Sequence, residues 1–180
     1  MKDINPNSWM VASARGAIAN SYALNGDMRK ADQLMAELKR DIDRYGPSAI
    51  DDYQIWTGTL EMEKGNYDTA AVLFQKAFKI TPLFFLREYL GRSYLEAGRI
   101  DDALMIYEKI INRYELNRAY WPAGGVMTHF YLGRTYEEAG RYDEAIEQYE
   151  TFLDIWRDAD EGIKIIEDAK KRLAKLKNGS

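Results

Sequence analysis

Residues 131–145 read YLGRTYEEAGRYDEA, and residues 89–103 read YLGRSYLEAGRIDDA. The two stretches agree at 11 of 15 positions and begin 42 residues apart. Neither holds a nucleophile beside a base or a cluster of metal ligands, which are the signs of a catalytic motif. The repetition therefore indicates a structural unit, and further copies of it decide the fold.

A turn pattern, Gly-x-hydrophobic-x-x-Ala, occurs at four places. Mostly small or aromatic side chains stand seven and four residues before each glycine and four and seven residues after each alanine, which is the spacing of one helix face. Each glycine is predicted to end a helix in the left-handed conformation, with polar residues near the start of the next helix. The copies are GDMRKA (26–31), GNYDTA (65–70), GRIDDA (98–103) and GRYDEA (140–145).

Each unit is thus predicted to be a helix hairpin of about 34 residues that buries its apolar face by stacking. The residues that recur at these positions in each copy resemble the pattern of the tetratricopeptide-repeat (TPR) family over roughly residues 8–159. The resemblance implies an all-α fold: a right-handed superhelical solenoid of about four antiparallel helix hairpins plus a C-terminal capping helix. The matching residues are Tyr22, Gly26 and Ala31; Gly58, Gly65, Ala70, Phe74, Ala77 and Pro82; Leu90, Gly91, Tyr94, Gly98, Ala103 and Tyr107; and Leu132, Gly133, Tyr136, Gly140, Ala145 and Tyr149.

One position departs from the family pattern in the second unit. Glu61 stands where the family prefers Tyr, so an acid is placed near the seam of the hairpin. We expect this carboxylate to reach solvent or to pair with a neighbouring base.

The units divide the chain unevenly. Hairpins are expected at about 8–45, 51–82, 84–117 and 126–159, with a lead-in at 1–7, a capping helix at 160–177 and a tail at 178–180. The four marker alanines are 39, 33 and 42 residues apart, so extra residues belong in loops near 43–52 and 112–127. Within the second insertion, Pro122 disfavours helix at Trp121, and Gly124 with Gly125 is expected to form a flexible joint.

The last segment is predicted to cap the array. Ile166, Ala169, Leu173 and Leu176 line one face at helical spacing, while most of the lysines lie elsewhere. An open stack of repeats needs such a polar-backed end. The closing Asn-Gly-Ser at 178–180 would suit a piece cut from a longer chain.

Composition narrows the class of function. Of 180 residues, 46% are hydrophobic and 30% charged, as in ordinary soluble proteins. The net charge of −4 argues against nucleic acid as a partner, because nucleic-acid binding demands a basic face. There are no cysteines, and no apolar run is long enough to enter a membrane as a helix. The first ten residues hold no long apolar core of a signal peptide. We therefore expect a soluble protein without membrane insertion, and favour the cytoplasm.

The sequence offers no arrangement for catalysis, a metal or a cofactor. His129 is the one histidine, and neither Thr128 nor Glu137 forms a diagnostic arrangement with it. His129 stands in a packing column of the repeat, which favours a structural role. The acidic clusters lack the spacing of a calcium loop, and no Gly-rich phosphate loop is present. The chain is predicted not to be an enzyme and to need no cofactor or metal.

In the TPR family the first helix of each hairpin lines a concave groove, so the resemblance implies a binding surface there. Aromatic residues, Met and Arg are the types enriched at binding hot spots. The groove candidates are Ile55, Trp56, Met62, Phe85, Tyr89, Arg92, Leu95, Phe130, Tyr131 and Arg134.

Two arginines occupy the same groove column in adjacent units. Arg92 and Arg134 could grip a carboxylate or a backbone carbonyl of a peptide. The alternative is that they pair within the stack with Glu88, Glu96 or Glu138.

The sequence therefore predicts a non-catalytic protein–protein interaction module, a scaffold or adaptor. It would bind a peptide segment of a partner, or of a larger parent protein, in its groove. The alternative is a structural or self-associating scaffold, such as a homo-oligomer. It would make its contacts through the 117–125 insertion or the ends of the array rather than through the groove. In that case Tyr120 and Trp121 would make the insertion contacts.

Overall fold

The computed structural model describes residues 9–45, 50–112 and 122–178. Regular secondary structure in these ranges is α-helical, which confirms the predicted all-α fold. The helices are α1 (Trp9–Leu24), α2 (Met28–Tyr45), α3 (Ile50–Glu63), α4 (Tyr67–Ile80), α5 (Phe84–Glu96), α6 (Ile100–Asn112), α7 (Pro122–Glu138), α8 (Tyr142–Ile155) and α9 (Lys164–Asn178). Among the helices described here, none combines the length and the apolar character of a membrane-spanning segment.

The chain divides into two compact units, with the boundary inside α5. Unit one is Met1–Ser93, and in it α1 packs against α2 and α3 while α3 packs against α4. Unit two is Tyr94–Ser180, and in it α7 packs against α6 and α8 while α9 packs against α8. Each unit therefore has its own set of helix contacts.

The four repeat glycines end their helices as predicted. Gly26, Gly65, Gly98 and Gly140 all have positive φ, from 72° to 84°. The turn at Gly26 shows the hydrogen bonds of a Schellman motif: its own N–H donates to the Ala23 carbonyl at 2.9 Å, and the Asp27 N–H donates to the Tyr22 carbonyl at 2.9 Å. The same pair of bonds recurs at the other three glycines. Repeated local geometry thus explains why the motif recurs in the sequence.

The two polar residues that follow the first two glycines act differently. Asp27 caps α2, because its Oδ1 accepts the N–H of Lys30 at 3.0 Å. Asn66 makes no side-chain cap for α4, and its Nδ2 donates instead to Oε2 of Glu61 at 2.8 Å. Glu61 also accepts from Lys64 Nζ at 3.0 Å, so the expected pairing of Glu61 with a base is confirmed.

The second helix of each hairpin is amphipathic and buries one stripe at i, i+4 and i+7. Opposite this stripe, small residues of the first helix allow close approach. A β-carbon at Gly58 would lie 2.7 Å from the ring of Phe74, and one at Gly133 would lie 2.9 Å from the ring of Tyr149. The buried stripes are Ala31, Met35 and Leu38; Ala70, Phe74 and Ala77; Ala103, Tyr107 and Ile110; and Ala145, Tyr149 and Phe152.

Two helix starts differ from the sequence prediction. Gly124 and Gly125 are not a flexible joint, because α7 begins at Pro122 and includes both. Proline suits the first helical turn, where its missing N–H is not needed. The last helix begins at Lys164, later than predicted, after Gly162 takes a positive φ of 83°. Its buried residues are Ile166, Ala169 and Leu176, whereas Leu173 is half-buried.

Candidate functional site

Four of the ten groove candidates are buried in the structure. Ile55 is 9% exposed, Met62 6%, Leu95 5% and Phe130 4%. Phe130 shows where such a side chain goes: its ring centroid lies 5.5 Å from that of Phe152 on α8. These four side chains support the helices and offer little surface to a partner. The other six, Trp56, Phe85, Tyr89, Arg92, Tyr131 and Arg134, are half-buried.

In unit one, α5 carries three of the half-buried candidates on one stripe. Phe85, Tyr89 and Arg92 are spaced at i, i+4 and i+7, which places them on one face of the helix. The ring of Tyr89 stacks on that of buried Phe74 with centroids 5.2 Å apart, and Phe85 meets Tyr89 edge-on at 6.1 Å. The aromatic part of the stripe is therefore held in place by the core while one side remains accessible.

The fourth candidate of unit one, Trp56, lies on α3 and packs flat against α1. A β-carbon at Gly16 would lie 2.0 Å from the indole atoms Cδ1 and Cγ of Trp56. Only glycine leaves room for the ring at that point of α1. The half-buried indole thus fixes the contact between α1 and α3, and Gly16 is a packing residue.

Asp52 lies one helix turn before Trp56, in the first turn of α3. Burial raises the pKa of Asp52 to about 6, and the neighbouring charge of Asp51 adds to this, while the hydrogen bond from Ser13 of α1 opposes it. Asp51 itself accepts a hydrogen bond from the hydroxyl of Thr81 at 2.6 Å. The carboxyl of Asp52 is therefore a titrating group between α1 and α3.

Replacing Asp52 by Asn is expected to stabilise unit one in a pH-dependent way. The folded pKa lies above the ordinary value of 3.8, so the wild type loses stability as pH rises from about 4 through about 6. D52N should gain stability over the same window, by less than about 1 kcal/mol because the group is half-exposed and screened. Urea unfolding of D52N and of the wild type at several pH values measures this difference in the free energy of unfolding. A gain that is equal at pH 4 and pH 8, or one shared by exposed D160N, would contradict the expectation.

In unit two the arginine candidate is engaged within the stack. Nη1 of Arg134 donates to Oε1 of Glu96 at 2.7 Å, and both side chains are about three-quarters buried. Burial lowers the pKa of Arg134, but the hydrogen bond and charge of Glu96 outweigh it and leave the pKa raised. The alternative of pairing inside the stack is thus confirmed for Arg134. Tyr131 stacks on buried Tyr107 with centroids 6.2 Å apart.

Glu137 is the centre of a polar network that joins three helices of unit two. Its Oε2 accepts from the Tyr149 hydroxyl of α8 at 2.9 Å and from Nη1 of Arg172 of α9 at 2.8 Å. Arg172 also donates from Nε to Asp168 at 3.0 Å. Burial lowers the pKa of Arg172, while Glu137 and Asp168 raise it above its ordinary value. This network fastens the last helix to the preceding hairpin.

We expect Glu137→Gln to lower the free energy of unfolding of unit two by about 1–3 kcal/mol, because the charged hydrogen bonds to Arg172 and the acceptor for Tyr149 are weakened. Partial exposure of Arg172 places the value at the lower end of that range. Glu138→Gln makes the same chemical change at the exposed neighbour and should have almost no effect. Equal midpoints for the two variants in urea unfolding would show that the network does not stabilise the unit.

The remaining candidates are structural or lie elsewhere. Nδ1 of His129 lies 2.9 Å from Oε1 of Gln148, which fits its predicted structural role. Tyr120 and Trp121 lie outside the described residues. Across the described ranges, no group of three or more acidic or histidine side chains could hold a metal ion.

Sequence reasoning missed two features of these surfaces. One is the Gly16–Trp56 contact, for which a glycine inside an otherwise helical pattern is the available signal. The other is the stacking of a cation on the seam tyrosine, because the guanidinium carbons of Arg99 and Arg141 lie 4.4 Å from the ring centroids of Tyr94 and Tyr136. The recurrence of Arg directly after the turn glycine, at Arg99 and at Arg141, could have indicated it.

Comparison with known families and structures agrees with this geometry. The pattern of the tetratricopeptide repeat matches residues 83–158, and that of the PPR repeat matches residues 16–41. No curated protein sequence matches the chain.

Solved structures resemble the chain over nearly its whole length. One is the structure of TPR-like repeats of a kinesin light chain from Podosopora anserina. Its sequence is 18% identical to this chain, and the two superpose with a TM-score of 0.67 over 92% of this chain and 84% of that chain. MamA, from residue 41 to its end, of Desulfovibrio magneticus RS-1 is 19% identical, with a TM-score of 0.61 over 93% of both chains. At such identities the likeness shows the fold alone, which is an all-α helical repeat solenoid.

Proposed function

We propose that this helical repeat protein, whose residues 83–158 match the tetratricopeptide repeat, is an interaction module that binds a peptide segment of another protein, or of a larger parent protein. Tetratricopeptide repeats generally mediate protein interactions, and proteins built from them are typically non-catalytic scaffolds. The surface proposed for the peptide is the α5 stripe of unit one, defined as Phe85, Tyr89 and Arg92.

One observation carries the proposal: the α5 stripe combines two aromatic rings with a guanidinium, all partly accessible. Aromatic and arginine side chains supply most of the energy at protein interfaces when they are rigid and partly desolvated. Tyr89 is held rigid by its stack on Phe74, so little side-chain entropy is lost when a partner binds.

The charge of the α5 stripe indicates what the peptide carries. Arg92 is oriented on the same face as the rings and suits a carboxylate or a backbone carbonyl. Arg134 of unit two is bonded to Glu96 and is not part of the α5 stripe. The expected ligand is a segment with an apolar or aromatic side chain followed by an acidic group.

A peptide selection with a matched pair of variants tests the proposal. Peptides selected from a random library on the wild-type protein are measured for affinity against Arg92→Glu and against Lys76→Glu. Lys76 is exposed on α4 and undergoes the same charge change. We expect R92E to weaken binding at least tenfold and K76E to leave it nearly unchanged, with both variants equally helical by circular dichroism. Equal affinities for the two variants would refute the α5 stripe as the binding surface.

A further inference from the structure

The outward face of α1 is unusually apolar for an exposed helix. Met10 is 60% exposed, Ile18 49%, Tyr22 37% and Leu24 65%. Between Met10 and Leu24 none of the exposed side chains carries a charge. Exposed apolar patches of this kind mark interaction surfaces.

The few polar groups near this face are satisfied by their own unit. The Ser21 hydroxyl donates to the Ala17 carbonyl at 3.0 Å, and Nδ2 of Asn25 donates to the Ser21 carbonyl at 2.8 Å. Arg15, the one charged residue of α1, forms an ion pair with Asp41 of α2. Covering the face would therefore leave the Ser21 hydroxyl, the Asn25 amide and the Arg15 charge with these bonds.

The exposed residues also follow the spacing of a helix that packs against another helix. Met10, Ala14, Ala17, Ser21 and Leu24 are separated by four, three, four and three residues, and all five are exposed. This is the 3.5-residue period of a coiled-coil seam. The order of sizes is large, small, small, small, large, so it reads the same in both directions about Ala17.

We propose that α1 pairs with α1 of a second copy of this chain, antiparallel, about a two-fold axis at Ala17. In this arrangement Met10 of one copy meets Leu24 of the other, Ala17 meets Ala17, and Ala14 lies within one residue of the level of Ser21. A two-fold interface must be self-complementary, and the palindromic order of sizes satisfies that condition. A seam without charge excludes the repulsion that like-charged faces would produce and offers nothing to an acidic or basic partner.

The dimensions of the pairing indicate a weak dimer. The seam from Met10 to Leu24 spans about 21 Å of helix at about 1.5 Å per residue. The small central residues allow an interaxial distance near the lower end of about 8–10 Å. One helix pair buries less area than a standard interface, so we expect a dissociation constant on the order of tens of micromolar.

Cysteine crosslinking reports the register directly, because the wild-type chain has no cysteine. Under mild oxidation Ala17→Cys should form a disulfide dimer rapidly, since the two-fold axis brings these positions within disulfide reach. Ala14→Cys alone should remain monomeric, whereas a mixture of Ala14→Cys with Ser21→Cys should form the mixed dimer. Thr69→Cys, exposed on α4, is the control for random collision.

Rapid dimers of Ala14→Cys alone would indicate a parallel pairing and overturn the proposal. Equal rates for Ala17→Cys and Thr69→Cys would overturn it as well.

Sedimentation of the cysteine-free protein adds an independent check. The wild type should shift from monomer to dimer over the micromolar range, and Ala17→Glu should stay monomeric because two like charges would meet on the axis. Ala36→Glu, on the exposed face of α2, should dimerise as the wild type does. A wild type that is monomeric throughout, or a dimer that A17E does not disturb, would refute the α1 pairing.

Discussion

Replacing Phe152 by alanine is expected to lower the free energy of unfolding of unit two by about 3–5 kcal/mol. Phe152 is fully buried in α8, with its ring centroid 5.5 Å from Phe130 of α7 and 6.3 Å from Trp156. The substitution removes the buried ring and leaves a cavity between rings that cannot collapse freely. Urea unfolding followed by circular dichroism and tryptophan fluorescence measures the loss.

The neighbouring apolar residue Ile155 provides the control for Phe152. Ile155 lies in the same helix but is 50% exposed, so Ile155→Ala should change stability by less than about 1 kcal/mol. A Phe152→Ala variant that unfolds at the same urea concentration as Ile155→Ala would mean that the ring is not part of the core of unit two.

Gly16→Ala is expected to destabilise unit one by about 1–3 kcal/mol, although alanine favours helix over glycine. The added methyl group would lie 2.0 Å from the Trp56 indole, so the ring or the whole of α3 must move. The measurement is the urea midpoint of unit one, monitored by tryptophan fluorescence.

Two further variants separate the clash of Gly16→Ala from helix propensity. Ala36→Gly at an exposed position of α2 gives the propensity term alone, which should be about 1 kcal/mol. In Trp56→Leu the ring is gone, so adding Gly16→Ala to it should cost little or should stabilise. If Gly16→Ala costs as much in the Trp56→Leu background as in the wild type, the contact does not explain the effect.

The hairpins could be predicted from the sequence because their determinants are local. A glycine that ends a helix, such as Gly98, acts through bonds within one turn, and a buried stripe such as Ala103, Tyr107 and Ile110 acts through one helix face. Both signals repeat in register, so each copy supports the others. The spacing alone therefore indicated the turns and the buried faces.

Contacts between helices of different hairpins could not be predicted in this way. Glu137 and Arg172 are far apart in the sequence, and the type of each residue does not identify its partner. Arg134 was left with two interpretations for the same reason, because only the packing of α7 shows that Glu96 lies within reach. A pairwise contact depends on the relative position of two helices, which periodicity does not encode.

The sequence also did not predict which of the groove candidates are buried and which are exposed. A first helix contacts neighbours on several sides, so its apolar residues do not divide clearly into a core face and a binding face. Leu95 and Tyr89 show the difference on one helix: Leu95 is buried, while Tyr89 keeps one side accessible. Exposure, not residue type, leaves the α5 stripe as the proposed surface.

Chemical-shift mapping of a selected peptide tests the central claim most directly. The isotope-labelled protein is titrated with a peptide from the selection, and amide shifts are followed across unit one. We predict that the largest changes fall at Phe85, Tyr89 and Arg92, with little change on the outer face of α4 around Lys76. Changes concentrated on α4, or equally large changes when the titrated protein is R92E, would contradict a peptide-binding surface on α5.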